Sequence, residues 1–180
     1  MSIKLEIRPI EPYDASWLVN MRNEEEVISN LHDPIMYSIE STVQWIKNMP
    51  KGSMRWVAYN DVCESGINIG IIRIDHFDTL NRNCYIGMDI CEGFRGQGLS
   101  REIYKIVLDK LFQVYNMETI YLEVLANNER AIHIYEKLGF CYCGGFPRKI
   151  LRNSKYIDSY IMYLTKENYY ETDDSKCKLS

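Results

Sequence analysis

No stretch of this chain is apolar for the roughly 20 residues that a membrane-spanning helix needs. The opening MSIKLEIRPI alternates charged and apolar residues and lacks the apolar core of a signal peptide. No Asn-x-Ser/Thr glycosylation site occurs. Basic residues are not in excess: 21 Lys and Arg face 25 Asp and Glu, a formal charge of −4. The broad positive face of a sequence-blind nucleic-acid binder is therefore missing. Fourteen tyrosines come without a basic stripe, so RNA stacking is not expected either. Prolines number only 5 and glycines 10, with no repeat, linker or low-complexity block among 180 residues. The six cysteines include Cys141 and Cys143, with His133 upstream, but no second pair stands at zinc-ligand spacing. These absences predict a reduced, cytoplasmic protein with no metal, no membrane partner and no nucleic acid.

What is present is a 46 % hydrophobic chain long enough to bury a core unaided. Ile3, Leu5 and Ile7 alternate with Lys4, Glu6 and Arg8, a strand ended by Pro9. Asp14 reads as the N-cap of a helix carrying Trp17, Leu18 and Met21, broken at His32-Asp33-Pro34. Ser41-Thr42-Val43-Gln44 reads as a capping box ahead of Trp45, Ile46 and Met49. Strands at 55–59, 67–74 and 85–91 form a meander. A helix follows with Leu99, Ile103, Ile106, Val107 and Leu111, then a strand at 119–125. Ala131, Ile134, Tyr135 and Leu138 mark another helix, closed by Gly139. Segments at 140–143 and 156–164 suit a hairpin around Asn153. The pattern predicts one mixed α/β domain over 1–168 and a polar, flexible tail over 169–180.

Between the third meander strand and the next helix runs Cys91-Glu-Gly-Phe-Arg-Gly-Gln-Gly-Leu-Ser100. A glycine-rich turn at a helix start points main-chain N–H groups at an anion, and phosphate suits it best. Gly93-x4-Gly98 has the spacing of a P-loop, but Leu99 stands where a lysine should reach the phosphates. Gly96-x-Gly98 fails as a dinucleotide fingerprint, because Arg101 stands at the third glycine.

Arg95-Gly96-Gln97-Gly98-Leu99-Ser100 resembles the acetyl-CoA loop of the GNAT superfamily of N-acetyltransferases, with Ser100 in the last small position. Residues 120–140, IYLEVLANNERAIHIYEKLGF, resemble the second signature of that family through Asn128, Ala131, Tyr135 and Gly139-Phe140. The resemblance covers about residues 55–165. It implies a GNAT-type α/β fold: a mixed, mostly antiparallel sheet of six to seven strands, splayed between the fourth and fifth and flanked by about four helices. It also implies acetyl-CoA as cosubstrate. The diphosphate would lie on the amides of Arg95, Gly96, Gln97, Gly98, Leu99 and Ser100. The pantetheine arm would lie along Met88, Asp89 and Ile90 and against Asn128. Tyr135 is then the acid that protonates the departing sulfur; an ordinary phenol keeps its proton at neutral pH. Glu123, in Leu122-Glu123-Val124, is the candidate base, with Asp89 as the alternative.

Acceptor contacts are expected from Arg22, His32, Tyr37 and Trp45, with Asp89, Tyr156 and Asp158. LEV…NN…AI…YEK is also similar to enzymes acting on nucleotide-linked amino sugars, and the first expectation for the acceptor is such a sugar. Peptide N-termini, as in ribosomal-protein acetyltransferases, and polyamines are the other small-molecule or peptide amines considered. A CoA-binding sensor or scaffold without catalysis is the reading from another class. A monomer or a homodimer is expected.

Overall fold

The computed structural model describes residues 4–30, 36–61 and 66–177. Among them are seven strands: β1 (Leu5–Pro9), β2 (Met54–Asn60), β3 (Ile67–Asp78), β4 (Asn83–Ile90), β5 (Thr119–Leu125), β6 (Cys141–Arg152) and β7 (Lys155–Thr165). They form one sheet in the order β1-β2-β3-β4-β5-β7-β6. Pairing is antiparallel for β1–β2, β2–β3, β5–β7 and β6–β7, and parallel for β4–β5. The parallel ladder registers Asn83–Tyr85 against Thr119–Tyr121, while β4 itself runs on to Ile90.

Six α-helices are described rather than the four expected: α1 (Ala15–Arg22), α2 (Glu25–Asn30), α3 (Ile39–Lys47), α4 (Leu99–Asp109), α5 (Glu129–Leu138) and α6 (Lys166–Cys177). The single helix expected after Asp14 is two, because the chain breaks at Asn23 and Glu24. A wider π turn, Lys110–Val114, extends α4. The stretch expected as a loose tail begins as α6. There Tyr169 is 6 % exposed, packs on Phe112 at 5.3 Å and donates its hydroxyl to Asp109. None of the described helices is long and apolar enough to cross a membrane.

The chain gathers into two compact units, Met1–Asp75 with Gly87–Val107, and His76–Ile86 with Leu108–Ser180. In the first, Ile10, Ala15, Leu18, Met21, Ile46, Val57 and Ile71 form a buried cluster, with Trp17, Val43 and Trp45 against it. In the second, Leu111, Phe112, Met117, Ile120 and Leu164 are fully buried.

Two caps differ from the sequence reading. Ser38, not Ser41, caps α3: it is extended at φ −100° and ψ 157°, and its Oγ accepts from the Ser41 N–H at 3.1 Å. Ser41 is the third residue of that helix, so the helix starts a turn earlier than expected. Asp14 does not cap α1. Its carboxylate accepts two bonds from the Arg8 guanidinium, both at 2.7 Å, and one from the Glu11 N–H at 2.9 Å. It is 2 % exposed.

Burial pushes the Asp14 carboxyl up, but Arg8, the Glu11 amide and Asn68 outweigh this and leave it below the ordinary aspartate value. A depressed folded-state pKa adds stability above the unfolded value, which is lost as pH falls through the folded one. D14A strands the Arg8 charge and is expected to cost about 3 kcal/mol in urea unfolding at pH 7. The cost should shrink as pH drops below 4, the region of the unfolded aspartate pKa of about 3.9.

Candidate active site

In the first unit, β4 leads through a short 3-10 turn, Glu92–Phe94, into the glycine loop. Gly96 and Gly98 have φ of 75° and 79°, a left-handed backbone that glycine adopts at no steric cost. A Cβ at Gly93, Gly96 or Gly98 would meet nothing within 4 Å. These glycines therefore leave open space and do not relieve a clash inside the protein. The N–H groups of Gly96, Gln97, Gly98, Leu99 and Ser100 have no backbone acceptor outside α4 among the described residues, whereas Arg101 already donates to Gly98. Five donors at the positive end of an 11-residue helix make a cradle that fits a diphosphate.

Arg95 is placed differently from its neighbours. Its Nε donates to the Ile90 carbonyl at 2.8 Å. Its terminal nitrogens pair with Glu24 and, at 3.0 Å, with Glu26. Its guanidinium thus straps the loop to the start of α2, so the anion cradle is a main-chain one. Behind the loop, Asp89 pairs with Arg73 of β3. Gly87, two residues earlier on the same face of β4, makes room: a Cβ there would stand 2.8 Å from the Arg73 guanidinium. Ile90 is buried and Met88 half-buried on the opposite face.

Arg22 ends α1 and lies over the Tyr37 ring at 4.4 Å from its centroid. The Asn23 side chain holds Tyr37 there, accepting from its N–H at 3.0 Å and donating to its carbonyl at 3.1 Å. Burial pushes the Arg22 guanidinium below its ordinary value; Tyr37 and Asp89 act upward, Arg73 and Arg55 downward. Trp45 faces Arg55 at 5.4 Å. His32 lies outside the described residues.

In the second unit, Asn128 caps α5, its side-chain oxygen accepting from the Ala131 N–H at 3.2 Å. At the other end Gly139 is left-handed at φ 97°. The Phe140 N–H bonds back to the Tyr135 carbonyl at 3.0 Å, and the Gly139 N–H to Glu136 at 3.0 Å, the Schellman arrangement. Phe140 is folded against Tyr135, ring centroids 5.9 Å apart, and Tyr135 is 9 % exposed. The Lys-Leu-Gly-Phe ending is thus a helix stop that fixes the tyrosine's ring.

Glu123 is not a lone carboxylate. The Lys149 ammonium sits 2.7 and 2.8 Å from its two oxygens. Lys149 comes from an irregular stretch of β6, where pairing with β7 skips between Phe146 and Ile150. Arg148 there has φ 54° and is pinned by the Asp158 carboxylate, which accepts its N–H at 2.7 Å. Tyr156 is exposed and covered on one face by the Arg148 guanidinium at 4.5 Å. Asp158 and Tyr156 thus serve the β6–β7 hairpin.

The sequence reading missed Lys149, Arg73, Arg55 and Glu24. Arg73 carried a usable signal: an arginine inside the apolar run Ile71 to Ile74 needs a carboxylate across the sheet. Lys149 carried none, since irregular pairing brings it to Glu123.

A family model described as an acetyltransferase (GNAT) domain matches residues 4–141. The chain belongs to the GNAT acetyltransferase family. Among its GNAT relatives, spermidine N(1)-acetyltransferase of Vibrio cholerae is 24 % identical over 94 % of this chain and 97 % of its own. That of Escherichia coli K12 is 27 % identical over 93 % and 88 %. The solved Vibrio cholerae spermidine N-acetyltransferase in complex with CoA and spermine superposes with a TM-score of 0.83, covering 92 % of this chain and 98 % of that one at 24 % identity. The GNAT fold and an N-acetyltransferase activity follow from this agreement. The expectation of an amino-sugar acceptor finds no support in these relatives.

An ammonium against a carboxylate favours its charged form and so lowers its pKa. K149M should therefore move the acid limb of the kcat/KM profile to higher pH if Glu123 accepts the proton. An unmoved limb would assign the base elsewhere.

Proposed function

We propose that this GNAT enzyme moves the acetyl group of acetyl-CoA to a primary amine, and that polyamines are the acceptor class its relatives support. The observation carrying the reaction is the bare main-chain cradle at Gly96–Ser100, found in a chain that carries both family signatures. The spermidine enzymes that align along nearly the whole chain support the acceptor class.

In this reading the loop amides hold the diphosphate, and Asn128 and the β4 edge at Met88–Ile90 steady the pantetheine arm. Glu123 takes a proton from the acceptor ammonium, and the freed amine attacks the thioester carbon. As the C–S bond breaks, the Tyr135 hydroxyl gives its proton to the sulfur, and the new amide nitrogen loses its extra proton, which restores the phenol through solvent. Lys149 holds Glu123 in an ion pair, so it must shift when the base works. Asp89, paired with Arg73, is the weaker candidate.

One observation favours a second reading, an amine that also bears an anion. Arg22, Arg55 and Arg73 lie within electrostatic reach of one another in the first unit, and a polycation gains nothing there.

Thiol release from acetyl-CoA with spermidine, a peptide N-terminus and an anionic amine separates the acceptors. Release with spermidine alone supports the polyamine class, and none with spermidine removes it. Y135F should lower kcat by about a hundredfold, the lower range for a general acid, with the KM for acetyl-CoA little changed. Unchanged kcat would discard that role.

A further inference from the structure

Within the first unit, Arg22, Arg55 and Arg73 lie in electrostatic reach of one another. Asp75 is 2.9 Å from Arg55, and Asp89 pairs with Arg73. No carboxylate among the described residues pairs with Arg22, and its Nε is buried without a hydrogen-bond partner. The Nε of Arg55 is also buried and unpartnered, although its terminal nitrogens donate to the Met54 and Ile74 carbonyls at 2.8 and 3.0 Å. Tyr37 covers one face of Arg22. A buried donor without a partner is costly, and a ligand that accepts its bond removes that cost. The planar fork of arginine matches a carboxylate or a phosphate.

We propose that Arg22, stacked on Tyr37 and backed by Arg55 and Arg73, is a subsite for an oxyanion. The proposal rests on the acetyl-transfer reading and not on the polyamine one. Asn23 has a positioning role, because it holds the Tyr37 backbone on which Arg22 stacks.

The test uses the full chain saturated with CoA, which occupies the diphosphate cradle, and follows Tm while inorganic phosphate is added. Binding to the folded state raises Tm by mass action. The wild type should gain Tm with phosphate, R22M should not, and R22K should retain part of the response. Sodium acetate in place of phosphate separates a carboxylate site from a phosphate site. Ligand-free R22M should melt no lower than the wild type, because a buried unpaired charge is gone; a purely structural arginine would behave in the opposite way. A wild type indifferent to both anions, or an R22M response equal to the wild type's, overturns the subsite. Should CoA itself fail to raise Tm, the acetyl-transfer reading falls, while the difference between wild type and R22M still judges the subsite.

Discussion

Two left-handed glycines, Gly96 and Gly98, hold the chain between β4 and α4 in a turn that no side chain of the protein fills. The amides from Gly96 to Ser100 have no backbone acceptor outside α4 among the described residues. Unpaired main-chain donors cost free energy unless water or a ligand satisfies them. An anion is the kind of group that satisfies several such donors together, which supports the proposed diphosphate site. The surrounding side chains serve the turn. Arg95 ties it to Glu24 and Glu26, and Cys91 donates its N–H to Ile69 of β3 at 2.9 Å.

A second local device acts in the other unit. Asn128 begins α5 and Gly139 ends it, and the bond from the Phe140 amide to the Tyr135 carbonyl locks the last turn. The family signature thus has a mechanical sense. Its asparagine and glycine set the helix limits, and its phenylalanine presses on the tyrosine. Position along the helix and orientation of the ring are settled within the one stretch from Asn128 to Phe140.

The charged residues follow another logic. Glu123, Asp89 and Arg95 each meet an opposite charge that is distant in sequence, and Asp14 meets Arg8 six residues earlier. In water such pairs contribute little, but partial burial raises both their strength and the cost of losing one member. Arg22 is the exception among the described arginines of this cluster, and that asymmetry separates a structural cation from one shaped for a ligand.

Both signature turns were legible in the sequence, because glycine, asparagine and the apolar stripe act over a few residues. So were all seven strands and the tight turn at Asn153, where φ of 47° and then 61° at Ser154 close the hairpin. The start of α3 was misplaced by a turn, since Ser38 and Ser41 offer competing caps and only backbone geometry chooses. The helical start of the tail and the burial of Tyr169 depend on Phe112, far away in sequence. Local conformational preference is written in neighbouring residues and can be read from them. The partner of a charge is decided by register and irregular strand pairing, so the Lys149–Glu123 pair and the uncompensated charge of Arg22 emerge only in the tertiary structure.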